Sequence, residues 1–123
     1  MKRLFPIVLA TVIALVSIPA LSQEFPQGSS TPTASDVQKH LADKVFSVKN
    51  ADGTSWRLEF KANGYFFLNT NTGGSVNGQW QAEDGRLCSQ IKGADRNCVD
   101  VRFHQELLHL KRTSGEIIQY LPK

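Results

Sequence analysis

The side chains in this sequence best suited to chemistry are few: Cys88 and Cys98, and His40, His104 and His109. Two cysteines can form a structural disulfide, a redox pair or half of a metal site. A redox pair normally sits as Cys-x-x-Cys. A structural zinc takes four ligands, which two cysteines and three scattered histidines do not supply. His104 and His109 have Asp100 and Glu106 nearby, so a small metal or acid–base site is conceivable. Strand alternation, however, puts both histidines on an outward face, His109 beside Lys111, and the expectation is solvated surface. His40 falls on the polar side of a predicted helix. Glu83, Asp84, Asp95 and Asp100 sit at or beside turns, whereas acid–base catalysis needs two carboxyls in one pocket with shifted pKa values. There is no Gly-x-Ser-x-Gly elbow, no His-Glu-x-x-His helix and no glycine-rich phosphate loop opening a helix. The polar stretch "NTNTGGSVNG", Asn69 to Gly78, joins two strands; it reads as a hairpin tip or as a recognition loop on a rigid scaffold. No enzyme, metal or cofactor is expected.

The cysteine question turns on the strands around it. From Lys44 onward, short runs alternate apolar and polar residues between Asp-Gly, Asn-Gly and Ser-Gly pairs, which is a strand-and-hairpin pattern. In "SWRLEF" Trp56, Leu58 and Phe60 share a face, and in "VNGQW" so do Val76, Gly78 and Trp80. The same parity turns Leu87 and Ile91 inward on one strand and Val99, Val101 and Phe103 inward on the next. Cys88 and Cys98 then both point outward. Placing them opposite each other closes a hairpin around Lys92, Gly93 and Ala94, and sets Arg86 against Asp100 and Leu87 against Val99. One register thus satisfies a charge pair, an apolar pair and the geometry of a disulfide. The bridge is read as a structural staple.

Eight strands follow from the same reading, approximately 44–49, 55–61, 65–69, 75–81, 86–91, 97–104, 106–112 and 116–121. The "ADG" loop lets Val48 meet Trp56 and Phe46 meet Leu58. Asn63-Gly64, taken as a two-residue turn, lets Phe60 meet Phe67, and Asp84-Gly85 brings Ala82 to Leu87. The expected fold is all-β: an antiparallel meander closing into a small barrel, with a two-sheet sandwich as the other way to bury one apolar face. Before the strands, "SDVQKHLADK" has Ser35 and Gln38 at capping-box spacing and Val37, Leu41 and Val45 at helical spacing. One short amphipathic helix, Ser35 to Asp43, is expected to cover an end or side. On the third strand this register puts Tyr65 and Phe67 inside and Phe66 and Leu68 outside, an apolar pair covered by the helix, forming a binding surface, or there by accident.

The chain opens with Lys2 and Arg3, then an apolar run from Leu4 to Ile18, then Pro19 and the small residues Ala20 and Ser22. This is the three-part form of a secretory leader cut after Ser22, and the run is short of the roughly 18–20 residues needed to span a bilayer. The expected organisation is a signal peptide over 1–22, a flexible Pro/Ser/Thr/Gly-rich lead-in over 23–34 and one domain over 35–123. The formal charge of +3 includes Lys2 and Arg3. Without the leader, twelve basic side chains face eleven acidic ones, interspersed, so there is no basic stripe for nucleic acid. Export to an oxidising compartment, periplasmic or external, favours the disulfide further.

The block "NGQWQAEDGRLCSQIKGADRNCVDVRF", with "HLADKVFSV" and "NGYFF" before it, resembles a family of small exported proteobacterial proteins classed only as a domain of unknown function. The resemblance runs from Val37 to Phe103 and is most specific from Trp80 through Leu87 and Cys88 to Cys98. It implies secretion, one disulfide and a β-barrel, and no established activity. "GQW" at Gly78 to Trp80 matches the lipocalin Gly-x-Trp in letters, but lies in the fourth strand rather than the first. The functional expectation is a monomeric, non-catalytic binding protein whose partner is another protein or a small apolar ligand. The alternatives are an inhibitor of a hydrolase such as lysozyme, and a small hydrolytic enzyme without a recognisable motif.

Overall fold

The structure, a computed structural model, describes residues 23–123; the leader expected over residues 1–22 lies outside them. One helix, α1 (Ala34–Leu41), precedes eight strands: β1 (Lys44–Lys49), β2 (Ser55–Phe60), β3 (Tyr65–Thr70), β4 (Ser75–Glu83), β5 (Arg86–Ile91), β6 (Asn97–His104), β7 (Leu107–Lys111) and β8 (Ile117–Pro122). Each strand pairs antiparallel with the next, and β8 returns to β1, so the sheet is a closed barrel. Closure removes the free edges that an open sheet would expose.

The register follows the sequence pattern at most hairpins. Val48 faces Trp56 and Phe46 faces Leu58, Ala82 faces Leu87, and Arg86, Leu87 and Cys88 face Asp100, Val99 and Cys98. The Cys88–Cys98 disulfide is formed. It lies on the outer face, yet Cys88 is only 1% exposed, because Arg96 reaches back over that face to Gln81 and Glu83, at 3.0 and 2.8 Å. The hairpin is wider at its tip than the expected three-residue closure. Pairing stops at Ser89 and Asn97, and Ala94 N–H instead bonds the Ile91 carbonyl.

The β2–β3 hairpin differs by one residue, and the consequence is large. Lys61 N–H bonds the Tyr65 carbonyl across Ala62, Asn63 and Gly64, with Gly64 N–H returning to the Lys61 carbonyl and Gly64 at φ 95°. Three residues, the last in the left-handed region, make the turn where two were expected; this is the three-residue hairpin that ends on a glycine. Phe60 therefore faces Phe66, not Phe67. A one-residue slip exchanges the two faces of a strand. Phe66 and Leu68, expected outside, point into the barrel, Phe66 being 6% exposed, while Tyr65 and Phe67 are outside at 48% and 39%. Opposite Phe66 stands Gly78, where a Cβ would lie 2.9 Å from the Phe66 ring and 2.3 Å from the Gln90 carbonyl oxygen. The β4 glycine is the space into which the ring packs.

Helix α1 seals the end of the barrel where β1 begins. Thr33 is its N-cap, with a capping box to Asp36; this lies two residues before the expected Ser35. Tertiary bonds set the choice, since Gly85 N–H bonds the Pro32 carbonyl and Ala34 N–H bonds the Asp84 carboxylate at 2.7 Å. At the other end Asp43, at φ 58°, accepts from Ala62 N–H. Val37 and Leu41 are fully buried. His40, expected on the polar side, instead stacks on Phe46 and meets Phe103 edge-on, with centroids at 5.5 and 4.9 Å. Its Nε2 is buried without a partner. That desolvation, and secondarily the Lys44 charge, lowers its pKa.

The segment from Gln23 to Thr33, flexible by composition, is laid along the outside of the barrel. Gln23 N–H bonds the Gly115 carbonyl, Ser30 exchanges two backbone bonds with Phe103, and the Gln23 side-chain oxygen accepts from Ile117 N–H. Phe25 lies 5.3 Å under the Arg102 guanidinium.

Three outcomes follow. Phe66→Ser should cost about 3–5 kcal/mol in urea unfolding, as removal of a buried aromatic does, while Phe67→Ser should stay within about 0.5 kcal/mol of the parent; the reverse ranking would restore the two-residue turn. The protein should carry no titratable thiol, and reduction should lower its stability by about 2.5–3 kcal/mol, the chain-entropy value for so short a loop. A histidine whose folded pKa is depressed adds stability that is complete above the unfolded value of about 6.5 and is lost as pH falls through the folded one. The thermal midpoint should therefore drop between neutral and mildly acid pH, and His40→Phe should flatten that drop.

Candidate functional site: an apolar cavity in the barrel

The inward side chains divide into two levels. Near the helix they are large and interlocked: the Phe60 ring lies 6.1 Å from Phe46, 5.3 Å from Trp80, 5.8 Å from Tyr120 and 6.4 Å from Phe66. The Trp80 indole N–H donates to the Lys61 carbonyl at 2.9 Å, so this end is closed around a satisfied polar group. Toward the other end the inward positions are Leu58, Leu68, Val76, Leu87, Val99 and Ser89, which do not reach across the barrel. They leave a cavity of about 640 Å³. An eight-stranded barrel is at the size where side chains either fill the interior or leave room for one small ligand. Both regimes occur here in one lumen.

The floor of the cavity is Phe60 and Phe66, Tyr120 stands in the wall with its ring against Phe60, and the rim includes Trp56, Thr70, Ile91, Asn97 and Arg112. Val76 and Ile91, among the most exposed large apolar residues at 36% and 44%, belong to this rim and not to an outer patch. The Arg112 guanidinium lies 4.6 Å over the Trp56 ring. It donates to Glu116 at 3.0 Å and to the Asn50 side-chain oxygen. The β1–β2 loop, β2 and the end of β7 are thereby tied together beside the opening. Arg112 is the one charged side chain among the lining residues. Tyr120 is 6% exposed; burial pushes its phenol far above the usual range, with the Arg112 charge pulling the other way. The hydroxyl is therefore held protonated, as a donor.

The remaining candidates from the sequence are placed elsewhere. Phe66 and Leu68 are in the cavity wall rather than on an outer surface. His104 and His109 lie with ring centroids 5.8 Å apart on the outside. His109 is not solvated as expected: it is 3% exposed, next to Gln23, Glu24 and Pro26 of the N-terminal segment. Its Nδ1 is 3.3 Å from the Leu107 carbonyl oxygen and its Nε2 3.2 Å from the Gln119 amide. Composition alone could not show that a segment without apolar period would lie over this strand.

Among the described residues, the single group of three His, Cys, Asp or Glu side chains close enough for a metal is Glu83 with Cys88 and Cys98, and the disulfide takes both sulfurs. Glu83 pairs instead with Arg86 and Arg96, and Asp84 caps the helix. The stretch Asn69 to Gly78 is mostly strand. Its tip is tightened by Thr70 N–H to the Gly74 carbonyl at 2.8 Å, by Gly74 N–H to the Thr70 hydroxyl at 2.8 Å and by Ser55 N–H to Asn71 at 3.1 Å, and Thr70 and Val76 at its base reach the cavity rim.

What the sequence did not disclose is the hollow itself and the Trp56–Arg112–Tyr120 grouping. The alternation that marks inward residues says nothing of whether their volumes add up to a filled barrel. No helix among the described residues is long and apolar enough to cross a membrane. No family model, curated protein or solved structure matches this chain.

Proposed function

We propose that the protein is an exported, monomeric, non-catalytic binding protein that holds one small apolar ligand inside its barrel. The observation that carries this reading is the half-filled lumen: a cavity of about 640 Å³ with apolar walls above an aromatic floor. That volume falls within the range of ligand pockets, which are concave, mostly apolar and supplied with few polar groups. At about 30 Å³ for each water-sized unit, it accommodates about twenty non-hydrogen atoms. With about −0.3 kcal/mol per atom for ligands of that size, the affinity is on the order of tens of micromolar.

The composition of the wall favours carriage over turnover. The lining residues include no carboxylate, histidine or cysteine, the groups that commonly move protons or attack a carbonyl. Export rests on the leader expected over residues 1–22 and agrees with the disulfide, since such bonds persist in oxidising compartments.

The test is titration with N-phenylnaphthylamine, a neutral apolar dye that fluoresces on leaving water. Binding should saturate at one dye per protein. Leu68→Trp, which places an indole in the hollow, should weaken it at least about tenfold while lowering stability by no more than the roughly 1–3 kcal/mol of an overpacked site. Dye binding unaffected by Leu68→Trp would put the site elsewhere.

A further inference from the structure

We infer that the ligand is an elongated apolar monoanion, a long-chain carboxylate in its simplest form, with its tail on the aromatic floor side of the lumen and its head between Arg112 and Tyr120. This inference rests on the cavity being the binding site, and it adds the charge and placement of the ligand's polar end.

Three features of the lining converge on it. First, its single charge is positive. Among the described residues Arg112 lines the cavity and no acidic side chain does; an apolar volume with one cation in its wall selects against cationic ligands and offers nothing to a second anionic group. Second, the guanidinium is held without being used up. Glu116, Asn50 and the Trp56 ring fix its position, but those two hydrogen bonds leave further N–H groups on its fork. The Arg112–Glu116 pair is partly exposed, 21% and 33%, and such pairs are worth little on their own. A carboxylate arriving from the lumen meets a donor already oriented and less solvated than a surface arginine. Third, Tyr120 brings a hydroxyl into the same wall. Its ring packs at 5.7 Å from Phe46 and 5.8 Å from Phe60, which fixes its direction. A hydroxyl on the wall of an apolar cavity is a donor available to whatever occupies the cavity.

The remaining polar groups on the wall, Ser89, Asn97, Thr70, Thr113 and Ser114, are neutral and surround the opening or one side. They accommodate water around a head group without changing its required charge. The apolar part of the ligand then fills the space among Leu58, Leu68, Leu87, Val99, Leu110 and Ile118, where burial of each methylene contributes about as much as in any apolar transfer.

The test uses the purified protein with N-phenylnaphthylamine bound, displaced by dodecanoate or by dodecanol, which differ in the head group alone. Dodecanol is the more hydrophobic, so an apolar cavity with no anion site would take it at least as readily. Dodecanoate is expected to displace the dye at the lower concentration. Arg112→Gln should raise the dodecanoate concentration required by roughly tenfold to a hundredfold, the loss of a hydrogen bond to a charged group, and leave dodecanol within about twofold. Tyr120→Phe, which keeps the ring and its packing, should raise it several-fold for dodecanoate alone and serves if Arg112→Gln fails to fold. Dodecanoate added without dye should raise the thermal midpoint of the parent. If the dye binds but dodecanol displaces it as well as dodecanoate does, or if Arg112→Gln weakens both equally, the anionic head is wrong and the apolar cavity stands. If neither the dye nor dodecanoate binds, the cavity reading falls and this inference falls with it.

Discussion

An eight-stranded barrel must put every second side chain of every strand into one enclosed volume, and everything else in this protein is a response to that demand. At the helix end the demand is met with bulk. Phe46, Phe60, Phe66, Trp80 and Tyr120 interlock, and Val37 and Leu41 of α1 close over them. The helix is held there at both ends by carboxylates, Asp84 at its start and Asp43 just past its finish. At the opposite end no helix of the described residues closes the lumen, and the volume left over becomes the cavity. Close packing and open volume are thus divided along the barrel axis: replacing an aromatic of the floor disturbs the first, and a larger side chain at Leu68 fills the second.

Most of the fold was legible because parity and turn chemistry agree. Around the cysteines, charge pair, apolar pair and sulfur pair all require one register, and the strands adopt it. At Asn63-Gly64 two turns fit the same letters, a two-residue loop or a three-residue loop ending on the glycine, and they differ by the one residue that decides which face of β3 is inside. The flanking sequence Tyr65-Phe66-Phe67-Leu68 is apolar on both faces, so it gives no pattern to arbitrate. The glycine at Gly78 does: it removes a side chain opposite an inward Phe66, a complementarity visible only once β3 and β4 are paired. The helix cap was misplaced for a similar reason, since Thr33 and Ser35 both suit the role and tertiary bonds to Asp84 and Gly85 choose between them.

The site was less legible than the fold. Arg112 directly follows β7 and Tyr120 lies on β8, and in the sequence both read as ordinary strand residues; what distinguishes them is the company they keep. Burial sets the Tyr120 phenol firmly in its protonated form, and the Trp56 ring fixes the guanidinium at the rim. Outside the barrel the reverse holds: His109, exposed by strand parity alone, is shielded by a segment whose composition suggests no structure at all.

The seam of the barrel has a kinetic meaning. Strands β1 and β2 pair over six positions, and the other neighbours are hairpins whose partners are close in sequence, but β1 and β8 pair over two positions, Phe46 with Pro122 and Ser47 with Leu121. Hairpins with short loops close on microsecond timescales. Joining the first strand to the last must gather nearly the whole domain, and its entropic cost comes before any of its reward. Ring closure is then the late event in folding, and the enclosed lumen comes into being with it: until β8 reaches β1 there is a curved sheet with a wet inner face, and no interior to occupy.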